Sequence, residues 1–117
     1  MRVLIVDDDP LVRRFIRELL LDLATEIDEC ADGDEVLAHF EVFRPQWVLM
    51  DVEMARLDGI GATERLRAAH PEARIVIVSN HDQPELRRAA RAAGACGYVS
   101  KRDLLELREV LAAGMTR

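Results

Sequence analysis

The chain has 117 residues, half of them apolar, with 22 acidic against 16 basic side chains and a net charge of −6. That length suits one domain with its own core, and the acidic balance argues against the basic face that gripping nucleic acid requires. No apolar run nears the roughly 18 residues needed to span a bilayer, and the first segment reads as a strand, not a secretory signal, so a soluble cytoplasmic protein is expected.

Short apolar runs alternate with segments of helical period along the whole chain. Val3-Leu4-Ile5-Val6 is rich in β-branched residues and predicts a buried strand. Pro10 suits the first turn of a helix, with Asp9 as its N-cap. In that helix Val12, Ile16, Leu19, Leu20 and Leu23 share one face, while Arg13, Arg14 and Arg17 lie on others. Leu11 and Phe15 fall off the apolar stripe, open either to a partner or to partial burial. Glu26 to Cys30 alternates weakly as a second strand, and Asp32-Gly33-Asp34 opens a second helix with Val36, Leu37 and Phe40 on its apolar face.

Gln46 to Met50 predicts a third strand that stops at Asp51. Asp58-Gly59 leads into a third helix bearing Ile60, Leu66 and Ala69, halted by His70-Pro71. Arg74 to Val78 is the clearest strand of all. Pro84 starts a fourth helix that ends at Gly94, Cys96 to Val99 is a fifth strand, and Asp103 to Ala113 a fifth helix. Strands alternating with helices in this way define an α/β domain: a parallel sheet covered on both faces and doubly wound by right-handed crossovers. Residues 1–117 read as that single domain, without linker or repeat. Cys30 and Cys96 read as small buried thiols, too few for a disulfide framework and without the neighbours of a thiolate metal site.

In open parallel sheets, ligands bind beyond the carboxyl ends of the strands. There stand Asp7, Asp8 and Asp9 after the first strand, Asp51 after the third, Ser79 after the fourth and Lys101 after the fifth. Crowded carboxylates need a cation to stay ionised together, and an all-oxygen set suits a hard one such as Mg²⁺ or Mn²⁺. Asp51 is then a candidate nucleophile toward phosphorus, with Lys101 and the Ser79 hydroxyl to meet the phosphoryl oxygens.

Four motifs in order carry a resemblance over essentially the whole chain. They are Val3-Leu4-Ile5-Val6-Asp7-Asp8-Asp9-Pro10, Met50-Asp51-Val52-Glu53-Met54 with Leu57-Asp58-Gly59, Ile75-Val76-Ile77-Val78-Ser79, and Gly94-Ala95-Cys96-Gly97-Tyr98-Val99-Ser100-Lys101. They resemble the receiver domains of two-component response regulators. The resemblance implies a flavodoxin-like three-layer sandwich of strand order 2-1-3-4-5, with Asp51 phosphorylated by a histidine kinase or phosphotransfer protein. It implies that Asp8 serves the metal directly, Asp7 through water, and Glu53 through its backbone carbonyl beside Asp51. It also implies that Lys101 pairs with the phosphate and that Ser79 and Tyr98 form a switch. That switch would reshape a surface of the fourth helix, fifth strand and fifth helix, including Arg87, Arg88, Arg91, Arg102, Glu106 and Arg108, which could pair two copies of the chain. The implied strand order sets Cys30 and Cys96 four spacings of about 4.8 Å apart, beyond the roughly 7 Å a disulfide allows.

Some positions depart from the family's habit. Ala55 follows Met54 where proline is frequent, leaving that loop less rigid in principle. Asn80 follows the switch hydroxyl where a small residue is usual, and Arg102 follows Lys101 where many members have proline in a cis bond. Glu53 and His81 flank the site at positions that tune phosphoryl lifetime in the family. The Ser79-Asn80-His81-Asp82 and Gly97-Tyr98-Val99-Ser100-Lys101 segments look like NarL-type regulators, so the chain could be the receiver portion of a DNA-binding protein, though this portion would not itself touch DNA. Other readings are a receiver that only binds proteins, or a phosphatase working through an aspartyl phosphate. The last wants an aspartate where Glu53 stands and a cap that 117 residues cannot provide.

Overall fold

The computed structural model describes residues 1–115. Five strands, β1 (Arg2–Val6), β2 (Glu26–Cys30), β3 (Trp47–Met50), β4 (Ile75–Ser79) and β5 (Gly97–Ser100), form one parallel sheet of order β2-β1-β3-β4-β5. Each is followed by a helix: α1 (Pro10–Leu19), α2 (Val36–Phe43), α3 (Gly59–Ala69), α4 (Pro84–Ala93) and α5 (Leu105–Met115). This is the expected doubly wound three-layer sandwich.

Strand alternation sorts the core into two halves. Leu4, Val6, Val48, Met50, Ile75 and Ile77 face α2, α3 and α4, meeting Val36, Phe40, Ala62, Leu66 and Ala90. Val3, Ile5, Leu49, Val76, Val78 and Val99 face the other way, against Ile16 and Leu20 of the α1 segment and Leu107 and Leu111 of α5. The continuous apolar strands of the sequence are therefore strands buried on both faces. Each fully buried aliphatic side chain contributes roughly 1.5–3 kcal/mol of transfer free energy.

Local signals fix the element ends. The Asp9 carboxylate accepts the Leu11 N–H at 2.9 Å and starts α1. Gly94 takes φ +110°, a left-handed cap at the end of α4 that suits glycine. Asp32 caps a single 3₁₀ turn over Gly33–Glu35 before α2 begins, so the second helix starts later than the sequence predicts. The same happens to the fifth: a 3₁₀ turn over Lys101–Asp103, capped by the Ser100 hydroxyl, precedes α5. No cis peptide bond occurs among the described residues.

The surroundings of several side chains add to the sequence reading, and for Cys96 and Arg108 they correct it. Ala69 is exposed, because Ala62, Thr63 and Leu66 already fill the face of α3 and Ala69 is its last helical residue. Cys96 is exposed, because β5 begins one residue later and leaves Cys96 in the preceding turn. Cys30 is buried, and burial pushes its thiol up to about 12; both cysteines are free. Arg13 and Arg17 lie off the apolar face of α1 as expected, and both reach Glu29 on edge strand β2, at 2.9 and 2.6 Å. Arg108 turns away from the α4 side and grips Asp22 at 2.6 Å and the Leu19 carbonyl at 2.7 Å.

Candidate functional site

The chain leaves β1 to form β2 on one side, and β3 lies on the other, so the sheet's strand order reverses between β1 and β3. Ligand crevices of open α/β sheets form at such a reversal. Register sets the residues there: Val6 pairs with Cys30 and with Met50, and Met50 with Ile77. Asp7 and Asp51, each one residue beyond its strand, consequently emerge side by side.

The cleft they line holds about 230 Å³, with Asp8, Glu53, Ser79, Asn80, His81 and Lys101 also on its walls. Asp7 and Asp51 are 2% and 5% exposed, while Asp8 is open to solvent. Lys101 places its ammonium 2.8 Å from Asp7 and 3.1 Å from Asp51. Burial and the Asp7 charge push the Asp51 carboxyl up to about 6, against the opposing pull of Lys101. Burial lowers the Lys101 ammonium, but its two carboxylate partners outweigh this and leave it above the ordinary lysine value.

One oxygen each from Asp7, Asp8 and Asp51 fall within 4.8 Å of one another. Three converging carboxylates against one ammonium leave negative charge uncompensated, and the donor set is all oxygen. Both facts fit a hard divalent cation. Asp7 already accepts the Asp9 N–H at 2.9 Å and the Lys101 ammonium, which suits the water-mediated role expected of it better than a direct one.

Of the expected switch residues, Ser79 lines the cleft, whereas Tyr98 lies outside it, beside Arg87, Ala90 and Arg91. Ser79, at the end of β4, is buried, and its hydroxyl accepts the His81 N–H at 3.0 Å. Tyr98 is half-buried and its hydroxyl donates to the His81 carbonyl. One residue thus links the two: its N–H binds Ser79 and its carbonyl binds Tyr98. Arg87 lies over the Tyr98 ring, 4.5 Å from the centroid, and pairs with Asp82 in the loop between β4 and α4. The His81 imidazole pairs with the Glu53 carboxylate across the mouth of the cleft. Asn80 is exposed and does not plug the site.

Sequence reasoning saw Asp32 only as part of the opening of the second helix. It follows β2 much as Asp7 follows β1, so the same survey of strand ends could have found it. Its carboxylate accepts the N–H groups of Arg56 and Leu57, both at 2.9 Å, in the loop that leaves Asp51.

The structure is thus a doubly wound parallel α/β domain with a carboxylate and lysine cluster at the strand reversal. The model of the response regulator receiver domain matches residues 3–112, and the chain belongs to that family. Among curated relatives, the transcriptional regulatory protein PdtaR of Mycobacterium tuberculosis is 40% identical over 101 residues, covering 86% of this chain and 49% of its own. The transcriptional activator protein ExaE of Pseudomonas putida is 36% identical over 105 residues, again 86% of this chain and 48% of its own. The chain thus spans about half the length of these relatives, but 83% of the chemotaxis protein CheY of Halobacterium salinarum, at 34% identity and 86% of this chain. The receiver domain of NarL from M. tuberculosis superposes with a TM-score of 0.85 at 26% identity, covering 99% of this chain and 97% of its own. CheY4 of Vibrio cholerae gives a TM-score of 0.87 at 28% identity, with 96% of both chains covered. No helix among the described residues is long and apolar enough to cross a membrane.

Proposed function

We propose that the chain, residues 1–117, accepts a phosphoryl group on Asp51 from a histidine kinase or phosphotransfer protein in the cytoplasm. The observation that carries this is a buried carboxylate beside two further aspartates, with a lysine ammonium 3.1 Å away. A carboxylate oxygen of Asp51 attacks phosphorus while the bond from phosphorus to the donor's imidazole nitrogen breaks, leaving an acyl phosphate on the protein. Asp7, Asp8, Asp51 and the Glu53 carbonyl would hold Mg²⁺ or Mn²⁺, which supplies charge neutralisation at the phosphoryl oxygens. Lys101 shares that task from the side of β5, and the Ser79 hydroxyl, whose proton is not needed by His81, donates to the third oxygen. Leu11 and Phe15, 73% and 54% exposed on α1, edge an apolar hollow that reaches Asn80 and Lys101 and offer the donor a footing beside the site.

Phosphorylation draws on Ser79 and, through His81, on Tyr98, so the signal leaves by α4, β5 and α5. That face meets a second copy of the chain or, where the chain is the receiver of a NarL-like regulator, controls a DNA-binding portion. The lengths of PdtaR and ExaE favour the second arrangement, and CheY of H. salinarum shows that a relative can be little longer than this chain. In either case this domain carries the signal on its own aspartate and does not turn over an outside substrate.

Incubation with acetyl phosphate and Mg²⁺ should add one phosphoryl group per chain, seen as a single mass increment. Chelation of the metal or Asp51→Asn should abolish it. Labelling of the Asp51→Asn protein at the wild-type level would overturn the assignment, and sustained release of inorganic phosphate from unrelated phosphomonoesters would favour a phosphatase.

A further inference from the structure

The loop between β3 and α3 carries Glu53, yet it lacks the proline that would stiffen it, having Ala55 after Met54. Two anchors take its place. At the near end the Gly59 N–H donates to the Val52 carbonyl at 2.8 Å, and a side chain at Gly59 would run into the Asp51 carbonyl, its Cβ only 1.9 Å away. At the far end the two oxygens of Asp32 take the N–H groups of Arg56 and Leu57, both at 2.9 Å. The Asp34 N–H adds a third bond, at 3.2 Å. Asp32 is 4% exposed, and Gly33 beside it lets the Leu57 carbonyl approach to 2.2 Å from where a Cβ would stand. The stretch left between the anchors is Glu53, Met54 and Ala55.

We infer that Asp32 is a positioning residue for the Asp51 site, holding the β3–α3 loop in the shape that presents the Glu53 carbonyl to the cation; this rests on Asp51 being a metal-dependent phosphoacceptor. A buried carboxylate is costly unless its oxygens are matched. Here burial works to raise the Asp32 carboxyl, and the N–H groups of Arg56, Leu57 and Asp34, with the Arg56 guanidinium, outweigh it and hold it at about 2. The carboxylate therefore stays ionised and bonded at any pH at which the site works. Such charge-assisted bonds exceed neutral ones in strength, so the loop is ordered before any cation arrives.

Two measurements test this. Hydrogen exchange on the wild-type protein without metal should show the Arg56 and Leu57 amides protected to nearly the extent seen with Mg²⁺. Fast exchange of both in the metal-free protein would overturn the inference without any variant. Calorimetric titration with MgCl₂ at a temperature where all variants are folded should show Asp32→Ala, and to a lesser degree Asp32→Asn, weakening Mg²⁺ binding by roughly tenfold. The rate of labelling by acetyl phosphate should fall in parallel. Arg56→Ala, which removes the guanidinium pairs to Asp34 and Glu35 but keeps the backbone N–H, should stay within about twofold of wild type. A lower melting temperature with unchanged Mg²⁺ affinity in the Asp32 variants would make Asp32 a staple of the fold only. Wild-type protein that neither binds Mg²⁺ nor takes label would instead overturn the role of Asp51, a result no Asp32 variant can mimic.

Discussion

Asp51 sits in the fold as a liability that the proposed function would require. Its carboxyl, raised to about 6 by burial and the Asp7 charge, lies above the ordinary aspartate value near 3.9 of an unfolded chain. Between those two values the native protein keeps a proton that the unfolded chain has lost, so stability falls as pH rises through this window. Above it the full cost of the buried charge is present. Metal-free Asp51→Asn protein should accordingly be more stable than wild type by roughly 1–2 kcal/mol at pH 7.5, discounting for solvent at the open mouth of the cleft. The gap should close toward pH 4, as read by urea denaturation. Mg²⁺ should stabilise the wild type and not the variant. A constant difference across pH would mean that burial is not what perturbs Asp51. Asp51, Asp7 and Lys101 were legible in the sequence because each follows an apolar strand directly, and strand ends define the crevice. Asp32, two residues past β2, was within reach of the same survey, but its bonds to the N–H groups of Arg56 and Leu57, more than twenty positions away, leave no mark in the sequence.

At the scale of elements, the join between α1 and β2 shows what periodicity leaves out. The apolar stripe of α1 was readable, and Ile16 is buried as expected, but nothing in the period gave partners to the arginines on its other faces. Arg13 and Arg17 converge on Glu29 at 2.9 and 2.6 Å, and Arg13 also donates to the Asp7 carbonyl at 2.6 Å. This explains why β2 alternates only weakly: the edge strand is held through its polar side chains, Asp28 hydrogen-bonded to His39 at 2.7 Å and Glu29 paired with the two arginines. Burial works to raise the Glu29 carboxyl, and the two guanidiniums outweigh it, leaving it below the ordinary value. A depressed carboxyl contributes stability that is present above the unfolded value near 4.3 and is lost as pH falls through the folded one. Glu29→Gln should therefore cost about 1–2 kcal/mol near neutral pH, less in molar salt and little near pH 3. Since Arg13 also touches the Asp7 carbonyl, phosphoryl uptake by the variant should slow slightly while remaining dependent on Asp51. Equal stability of the two proteins at low salt and pH 7 would show that the pairs only decorate the surface.

Taken as a whole, the molecule was legible because its architecture depends on few signals: five apolar runs, helix-starting prolines at 10 and 84, and a left-handed Gly94. The outcome of the switch was less so, since it depends on which face side chains choose after folding. Arg108 commits to α1 through Asp22, while Arg87 closes over Tyr98. The exposed charged residues on α4 include Arg87, Arg88 and Arg91, and those on α5 include Glu106 and Glu109, with Arg102 just before it. In the proposed dimer, a two-fold axis along this side would set α4 of one copy against α5 of the next, so that each contact would occur twice and unlike charges would meet. With β5 as the edge strand between them, the proposed phosphorylation would act on the spacing of both helices through the Tyr98–His81 bond. Light scattering should therefore report a mass near 13.2 kDa for the resting protein and an increase toward twice that with the phosphate mimic beryllofluoride and Mg²⁺. Arg88→Glu with Arg91→Glu should keep the protein monomeric without reducing labelling of Asp51, and 0.5 M salt should weaken the dimer of the wild type. An unchanged mass in the saturated wild-type protein would assign this face to a different partner and leave the chemistry at Asp51 untouched.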